Sequence, residues 1–345
     1  MLLGSHFLHP DRFLYGRLSF SVELVYRRNP TGGFDLNAAR DRVRLARGKG
    51  AKVALRADDA PGQSLPVNGD EAGAHAYAQW CQMLATDHIM RDCDWLICGN
   101  EPNLVAENRE AGSPCPPSWA ARVVYGHGKP PEDTSNVYQF VRTVHPTMQV
   151  LLPAVAPYSP EASGARAMPN PFLDGRPQWA PWESYQFDLM QCAYDNAWHA
   201  DLGEVKTAVH TYAAQGVAAI GPGEPAADQR EPTFRAQFGS RWMGDCLWLL
   251  RQAQKAVYNS EWNVWVLCSE ANIYRPPQTP EQDYASGWWQ QLVSYVNGLP
   301  NVMGLAAFVD QDYGAGWANT AMTSGLGRCP QWNTDHDALL RNGWS

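Results

Sequence analysis

Long apolar runs are missing from these 345 residues. No stretch approaches the 18 or more consecutive apolar residues of a membrane-spanning helix. Charge is also scarce, with Asp, Glu, Lys and Arg making up 18% of the chain against the usual quarter. Basic charge is the scarcer sign, 27 Lys and Arg against 35 Asp and Glu. That balance disfavours nucleic acid and anionic membrane as partners, since both are held by basic patches. Met1–His6 shows no basic segment leading into an apolar one, so no signal peptide is expected in this chain. There is no Gly-x-Gly-x-x-Gly turn after the first strand-like run, which argues against a dinucleotide-binding open sheet. No His-x-His occurs, and the nine histidines lack ligand spacing, so no metal and no cofactor are expected. Internal repeats and low-complexity tracts are absent as well.

What is present is a hydrophobic fraction of 45%, enough for a substantial core, and 15 Trp beside 14 Tyr and 10 Phe. Rings of that kind suit stacking on ligands as well as core packing. The eight cysteines match neither a zinc ribbon nor a secreted mini-protein, and Cys98 and Cys268 lie inside apolar runs, so mostly reduced, buried thiols are expected.

Short apolar runs alternate with segments of helical periodicity, the pattern of a parallel α/β fold. Strands are expected at Leu2–Phe7, Ser21–Tyr26, Lys52–Ala57, Trp95–Gly99, Gln149–Ala156, Val205–Tyr212, Val264–Ser269 and Met303–Val309. Helices are expected at Leu36–Arg47, Glu71–Ala85, Ser135–Val144, Trp182–Asn196, Arg241–Val257 and Pro280–Asn297, with His9–Leu18 left for a first helix and Asp335–Arg341 for a short last one. Eight strands interleaved with helices predict a single (β/α)₈ TIM barrel over residues 1–345. The surplus length falls after the fourth, fifth and sixth strands, in Leu104–Thr134, Pro157–Pro181 and Ala213–Ser240. In a barrel these long loops rise from the C-terminal face, where active sites are built. Trp119, Trp179 and Trp182 lie in or just after them and are candidate stacking platforms.

Two carboxylates end strands. Asn100-Glu101-Pro102 follows the apolar run at the fourth, and Glu270 follows Val264–Leu267 at the seventh. A facing pair of carboxyl groups is what glycosidic hydrolysis needs, one protonated to donate to the leaving oxygen and one ionised to attack the anomeric carbon. His210-Thr211-Tyr212 ends the sixth strand, and His6 stands near the end of the first. Asp58 and Asp59, after the third, are suited to sugar hydroxyls or to capping the next turn.

With Asn-Glu-Pro at the fourth strand, His-x-Tyr at the sixth and Glu at the seventh, the chain from about residue 50 to 312 resembles clan A of the glycoside hydrolases, the retaining "4/7" barrels. The resemblance implies hydrolysis of β-glycosidic bonds in an oligo- or polysaccharide, with Glu101 as general acid/base and Glu270 as nucleophile. It implies that Asn100 binds the sugar 2-hydroxyl, that His210 and Tyr212 orient Glu270, and that an early arginine, Arg56 before Arg27, pairs with the nucleophile. His6, Asn272 and Trp182 complete the substrate-binding candidates, with Asp310 at the eighth strand. There the chain departs from the clan, offering Phe308, Asp310, Gln311 and Asp312 where many members place a Trp. Other readings stay open: a barrel that binds glycan without cleaving it, a metal-dependent barrel hydrolase, and, more distantly, a thiol enzyme using Cys98 or Cys268.

Overall fold

The computed structural model describes residues 2–6, 19–30, 33–126, 135–157, 159, 161, 181–196, 205–213, 265–273, 293 and 296–308. Eight parallel strands close into a barrel in sequence order: β1 Leu2–His6, β2 Ser19–Tyr26, β3 Lys52–Asp58, β4 Trp95–Cys98, β5 Gln149–Leu152, β6 Lys206–Ala213, β7 Trp265–Ile273 and β8 Val302–Ala307. The ring shuts where β1 pairs with β8, Leu3 opposite Leu305. Described helices are α1 Leu36–Gly48, α2 Glu71–Thr86, α3 Pro117–Tyr125, α4 Val137–Val144 and α5 Pro181–Asn196. None of them is long and apolar enough to cross a membrane.

Side-chain alternation, period two along each strand, divides the core in two. Val53 and Leu55, Leu96 and Cys98, Val150 and Leu152, and Val266 and Cys268 face outward into the layer shared with the helices. Ala54, Trp95, Ile97, Leu151, Ala208 and Leu267 face inward, joining Phe20, Val22 and Ala306 to plug the lumen. Gly4 makes room for the Phe20 ring, since a Cβ there would come within 2.5 Å of it. Two more steps along an inward-facing row lead out of this plug toward the C-terminal mouth. On β3 that row runs Ala54, Arg56, Asp58, and on β6 it runs from Ala208 to His210.

Helix starts follow their caps. Asp35 accepts from the N–H groups of Asn37 and Ala38 at the head of α1, Asp70 from Gly73 at α2 and Asn136 from Gln139 at α4. Helix α3 lies in what the sequence presents as a long loop. Pro116-Pro117 reads as a breaker, yet Pro117 is at the first helical turn, where proline is tolerated. All of α3 except Ser118 is buried, packed against α5.

Strand β5 stops at Leu152 rather than Ala156, because Pro153 cannot donate to the ladder. The expected segments His9–Leu18, Arg241–Val257 and Asp335–Arg341 lie outside the described residues, as do nearly all of Pro280–Asn297 and most of the loops after β5 and β6. Cys81, Cys93, Cys98, Cys115 and Cys268 are buried thiols, and Cys192 is a half-buried thiol; Cys246 and Cys329 lie outside the described residues.

Candidate active site

The seventh strand does not end before Glu270, as its apolar run suggests, but continues through it to Ile273. Simple alternation from Leu267 would turn Ser269 inward and Glu270 outward. A bulge prevents this: Val209 pairs with Cys268, the next residue His210 pairs with Glu270, and Ser269 is skipped. The extra residue flips the parity, so Glu270 faces the lumen beside His210.

Glu101 reaches the same space by another device. Gly99 and Glu101 both take positive φ, 79° and 38°. At Gly99 a side chain is also excluded by space, since a Cβ would lie 2.5 Å from Ser64 Oγ. At Glu101 the left-handed backbone is unfavourable for a non-glycine residue and is held by its surroundings. The Asn100 N–H donates to Ser64 Oγ at 2.7 Å. Asn103 donates to the Ala156 carbonyl and accepts from its N–H, at 2.9 and 2.8 Å, tying the β4 loop to the β5 loop. The Asn108 amide donates to the carbonyls of Pro102 and Leu104.

These devices bring residues on or just past five strands together at one point. His210 Nδ1 lies 2.7 Å from Glu101 Oε1, and its Nε2 lies 3.4 Å from Glu270 Oε1. Arg56 Nη1 donates to the same Glu270 oxygen at 3.2 Å, and His6 Nε2 stands 3.4 Å from it. One ligand atom each of Glu101, His210 and Glu270 fall within 4.8 Å of one another. Glu270 is 4% exposed, while the Glu101 side chain keeps 16%, enough to meet a ligand entering from the mouth.

Burial sets the ionisation. It pushes the Glu101 carboxyl up to about 7, against the opposing pull of Arg56. Burial likewise lowers His210 to about 4, although Glu270 favours its charged form, and lowers His6, with Arg56 and His210 adding to the effect. Both imidazoles are therefore neutral near pH 7. Arg56 remains charged: burial opposes this, but the Asp58 and Glu270 carboxylates outweigh it.

Of the residues singled out in the sequence, Glu101, Glu270, His210, Arg56 and His6 converge, with Asn100 buried next to Glu101. Arg27 does not join them; it pairs with Asp59, which also takes Arg28. Tyr212 and Asn272 are paired across β6 and β7, but their side chains, like all of Asp310, lie outside the described residues. Trp182 is only 8% exposed and packs in the outer core, and Trp119 is buried with its indole N–H donating to the Pro66 carbonyl at 2.8 Å. Neither ring is offered as a platform; Trp179 lies outside the described residues. Phe308, at the end of β8, meets the edge of the His6 ring with centroids 5.1 Å apart.

Glu107 went unremarked in the sequence. It sits in the turn after β4, its carboxyl raised by burial and by Glu101, with Arg56 and a hydrogen bond from Asn100 opposing. Nothing in its local sequence marks it out. Among the described residues, Glu101, His210 and Glu270 are the group whose ligand atoms are close enough to share an ion. The Arg56 guanidinium already places a positive charge on Glu270 there. Cys98 and Cys268 face the outer core, and burial raises both thiols, which removes them from this chemistry.

No protein-family model matches the chain, and no curated protein matches it in sequence. Solved structures do match in fold. An endo-β-1,4-glucanase from Xanthomonas axonopodis pv. citri superposes with a TM-score of 0.53 at 11% identity, covering 97% of this chain and 91% of that one. An endoglucanase from Pseudomonas stutzeri in complex with cellobiose gives 0.51 at 13%, covering 98% and 85%. A glucosidase from Croceicoccus marinus gives 0.51 at 11%, covering 87% of this chain, which spans 55% of that longer one. At such identities the likeness is one of fold: this chain is a (β/α)₈ barrel of the kind these glycoside hydrolases use.

Proposed function

We propose that the protein is a retaining β-glycoside hydrolase in which Glu270 is the nucleophile and Glu101 the acid/base. The observation that carries this reading is the approach of the two carboxyl groups, oxygen to oxygen within 4.8 Å. Retaining enzymes hold their pair about 5–5.5 Å apart, while inverting ones need roughly 6.5–9.5 Å to admit a water. The different surroundings of the two glutamates support the division of labour. Arg56 balances a carboxylate at Glu270, whereas Glu101, raised to about 7, is about half protonated at neutral pH.

In the first step Glu270 attacks the anomeric carbon as Glu101 gives its proton to the departing oxygen, and the glycosidic C–O bond breaks. Glu101, now a carboxylate, then takes a proton from water, which attacks the same carbon and displaces Glu270. Neutral His210 accepts a hydrogen bond at Nδ1 from the protonated Glu101 before the first step and so carries its own hydrogen on Nε2, toward Glu270. Its uncharged state keeps it from competing with Glu101 as the acid. The names of the fold neighbours make β-linked glucans the first polysaccharides to try.

The test is hydrolysis of a panel of aryl β-glycosides and β-glucans by the wild type, Glu101→Gln and Glu270→Gln. The wild type should cleave at least one substrate, in the presence of EDTA as in its absence, and both variants should lose at least about a thousandfold. Glu101→Ala should regain turnover of an activated aryl glycoside when azide is added, releasing a β-glycosyl azide. Variants as active as the wild type would remove the site from consideration, and loss of activity in EDTA would favour a metal-dependent hydrolase.

A further inference from the structure

The sequence offers adjacent aspartates after β3, and the structure separates their work. Asp59 is consumed by Arg27 and Arg28. Asp58 lies on the inward-facing row of β3, one step nearer the mouth than Arg56. It is 2% exposed, and its two oxygens differ. Oδ2 pairs with Arg56 Nη2 at 3.2 Å, while Arg56 Nη1 holds Glu270. Oδ1 is buried and has no hydrogen-bond partner among the described residues. An acceptor left in that condition costs free energy, and the cost is removed by any ligand that supplies a donor.

We propose that Asp58 is a sugar-binding residue, its Oδ1 accepting a hydrogen bond from a hydroxyl of the ring seated against Glu270, and that this makes the cleft selective for an uncharged sugar. The proposal rests on the glycosidase reading. A ring whose anomeric carbon meets Glu270 lies over the Arg56 fork, which brings its hydroxyls to the mouth side of β3. A hydroxyl fits because it is a donor that carries no charge. A uronic acid does not, because Arg56 is already engaged by Asp58 and Glu270, and His6 and His210 are neutral. Asp58 thus has two jobs on one carboxylate, aligning Arg56 through Oδ2 and reading the substrate through Oδ1.

The experiment is a cycle between enzyme and substrate. The wild type, Asp58→Ala and Asp58→Asn are assayed on the 4-nitrophenyl β-glycoside cleaved best and on its singly deoxygenated analogues, with circular dichroism confirming that each variant is folded. Removing either partner of a hydrogen bond to this buried carboxyl group predicts a loss of about tenfold in kcat/KM, beyond any common factor from a displaced Arg56. For one particular deoxy analogue the sugar-specific loss should vanish: Asp58→Ala should keep on it only the common factor from a displaced Arg56, a deficit relative to the wild type about tenfold smaller than on the parent glycoside. Asp58→Asn keeps an oxygen for Arg56 and offers the sugar hydroxyl an N–H₂ in place of the acceptor, so it should be impaired on the parent glycoside less than Asp58→Ala. The β-glucuronide should be cleaved more slowly than the neutral glucoside.

If Asp58 only aligns Arg56, Asp58→Ala will lower kcat/KM by one common factor on the parent and on every deoxy analogue, and the proposal fails while the glycosidase reading stands. Preference for the glucuronide overturns it as well. A wild type inactive on the whole panel overturns the glycosidase reading and this proposal with it.

Discussion

Replacing Glu101 by Gln is expected to abolish hydrolysis and yet stabilise the fold, by an amount that grows with pH. The reason is the raised carboxyl, 4.5 in its ordinary state and about 7 in the folded protein, with burial as the cause. Below 4.5 the group is protonated in both folded and unfolded chains, and its burial costs little. Between 4.5 and 7 the unfolded chain ionises while the folded one keeps its proton, so stability falls as pH rises, and above 7 the loss is complete. At 1.36 kcal/mol per pH unit the full loss is about 3 kcal/mol, of which under about 1 kcal/mol is present at pH 5. Glutamine keeps the shape and a hydrogen bond to His210 Nδ1 but cannot ionise, so it escapes this loss. With an unfolding entropy of about 2.1 cal/mol/K per residue, the advantage of Glu101→Gln in Tm should widen by roughly 3–4 °C from pH 5 to pH 8. Thermal scans of both proteins at the two pH values, at one heating rate, measure it. An advantage that is the same at pH 5 and pH 8 would refute the reasoning about Glu101.

The same carboxyl should set the basic limb of the pH–rate profile: kcat/KM should be half-lost near pH 7 and fall tenfold per unit above it, and a rate still rising at pH 9 would exclude Glu101 as proton donor. Gly99→Ala puts a Cβ 2.5 Å from Ser64 Oγ in a backbone with φ of 79°, so it should destabilise by about 1–3 kcal/mol and shift Glu101 enough to cost activity; unchanged Tm and kcat would show that the loop is not held as described. Asn103→Ala removes both bonds to Ala156 and should lower kcat by displacing Glu101, to be read against a smaller change in KM.

The barrel was legible because its strands are apolar runs of regular spacing, and both glutamates were legible because each closes such a run. The means by which they face the lumen were not. Whether Glu270 points in or out depends on the skipped Ser269, and a bulge is a matter of pairing between β6 and β7 that no local pattern on β7 records. Helix α3 was hidden because the same two prolines that end a chain segment in most contexts begin a helix here. Trp182 was misread for a related reason. Its place after a long loop suggested exposure, but it opens the buried face of α5, and only the packing of α5 on α3 shows that. Arg56 was preferred over Arg27 on the sequence, and alternation explains the outcome: Arg56 shares the inward row with Ala54, whereas Arg27 lies beyond the end of β2 and meets Asp59. Asp58 is the last residue of β3 and keeps to the inward row, whereas Asp59 lies just past the strand end, where it meets Arg27 and Arg28.

The central claim, that Glu270 attacks the anomeric carbon, is tested most directly by trapping the covalent intermediate. A 2,4-dinitrophenyl 2-deoxy-2-fluoro-β-glycoside of the preferred sugar should form a glycosyl-enzyme that accumulates, because the fluorine slows both steps while the leaving group speeds the first. Mass spectrometry of the intact protein should show one added fluorosugar, and peptide fragmentation should place it on Glu270. A label on Glu101 or on any other residue, or release of one dinitrophenolate per enzyme with no covalent adduct, would contradict the account.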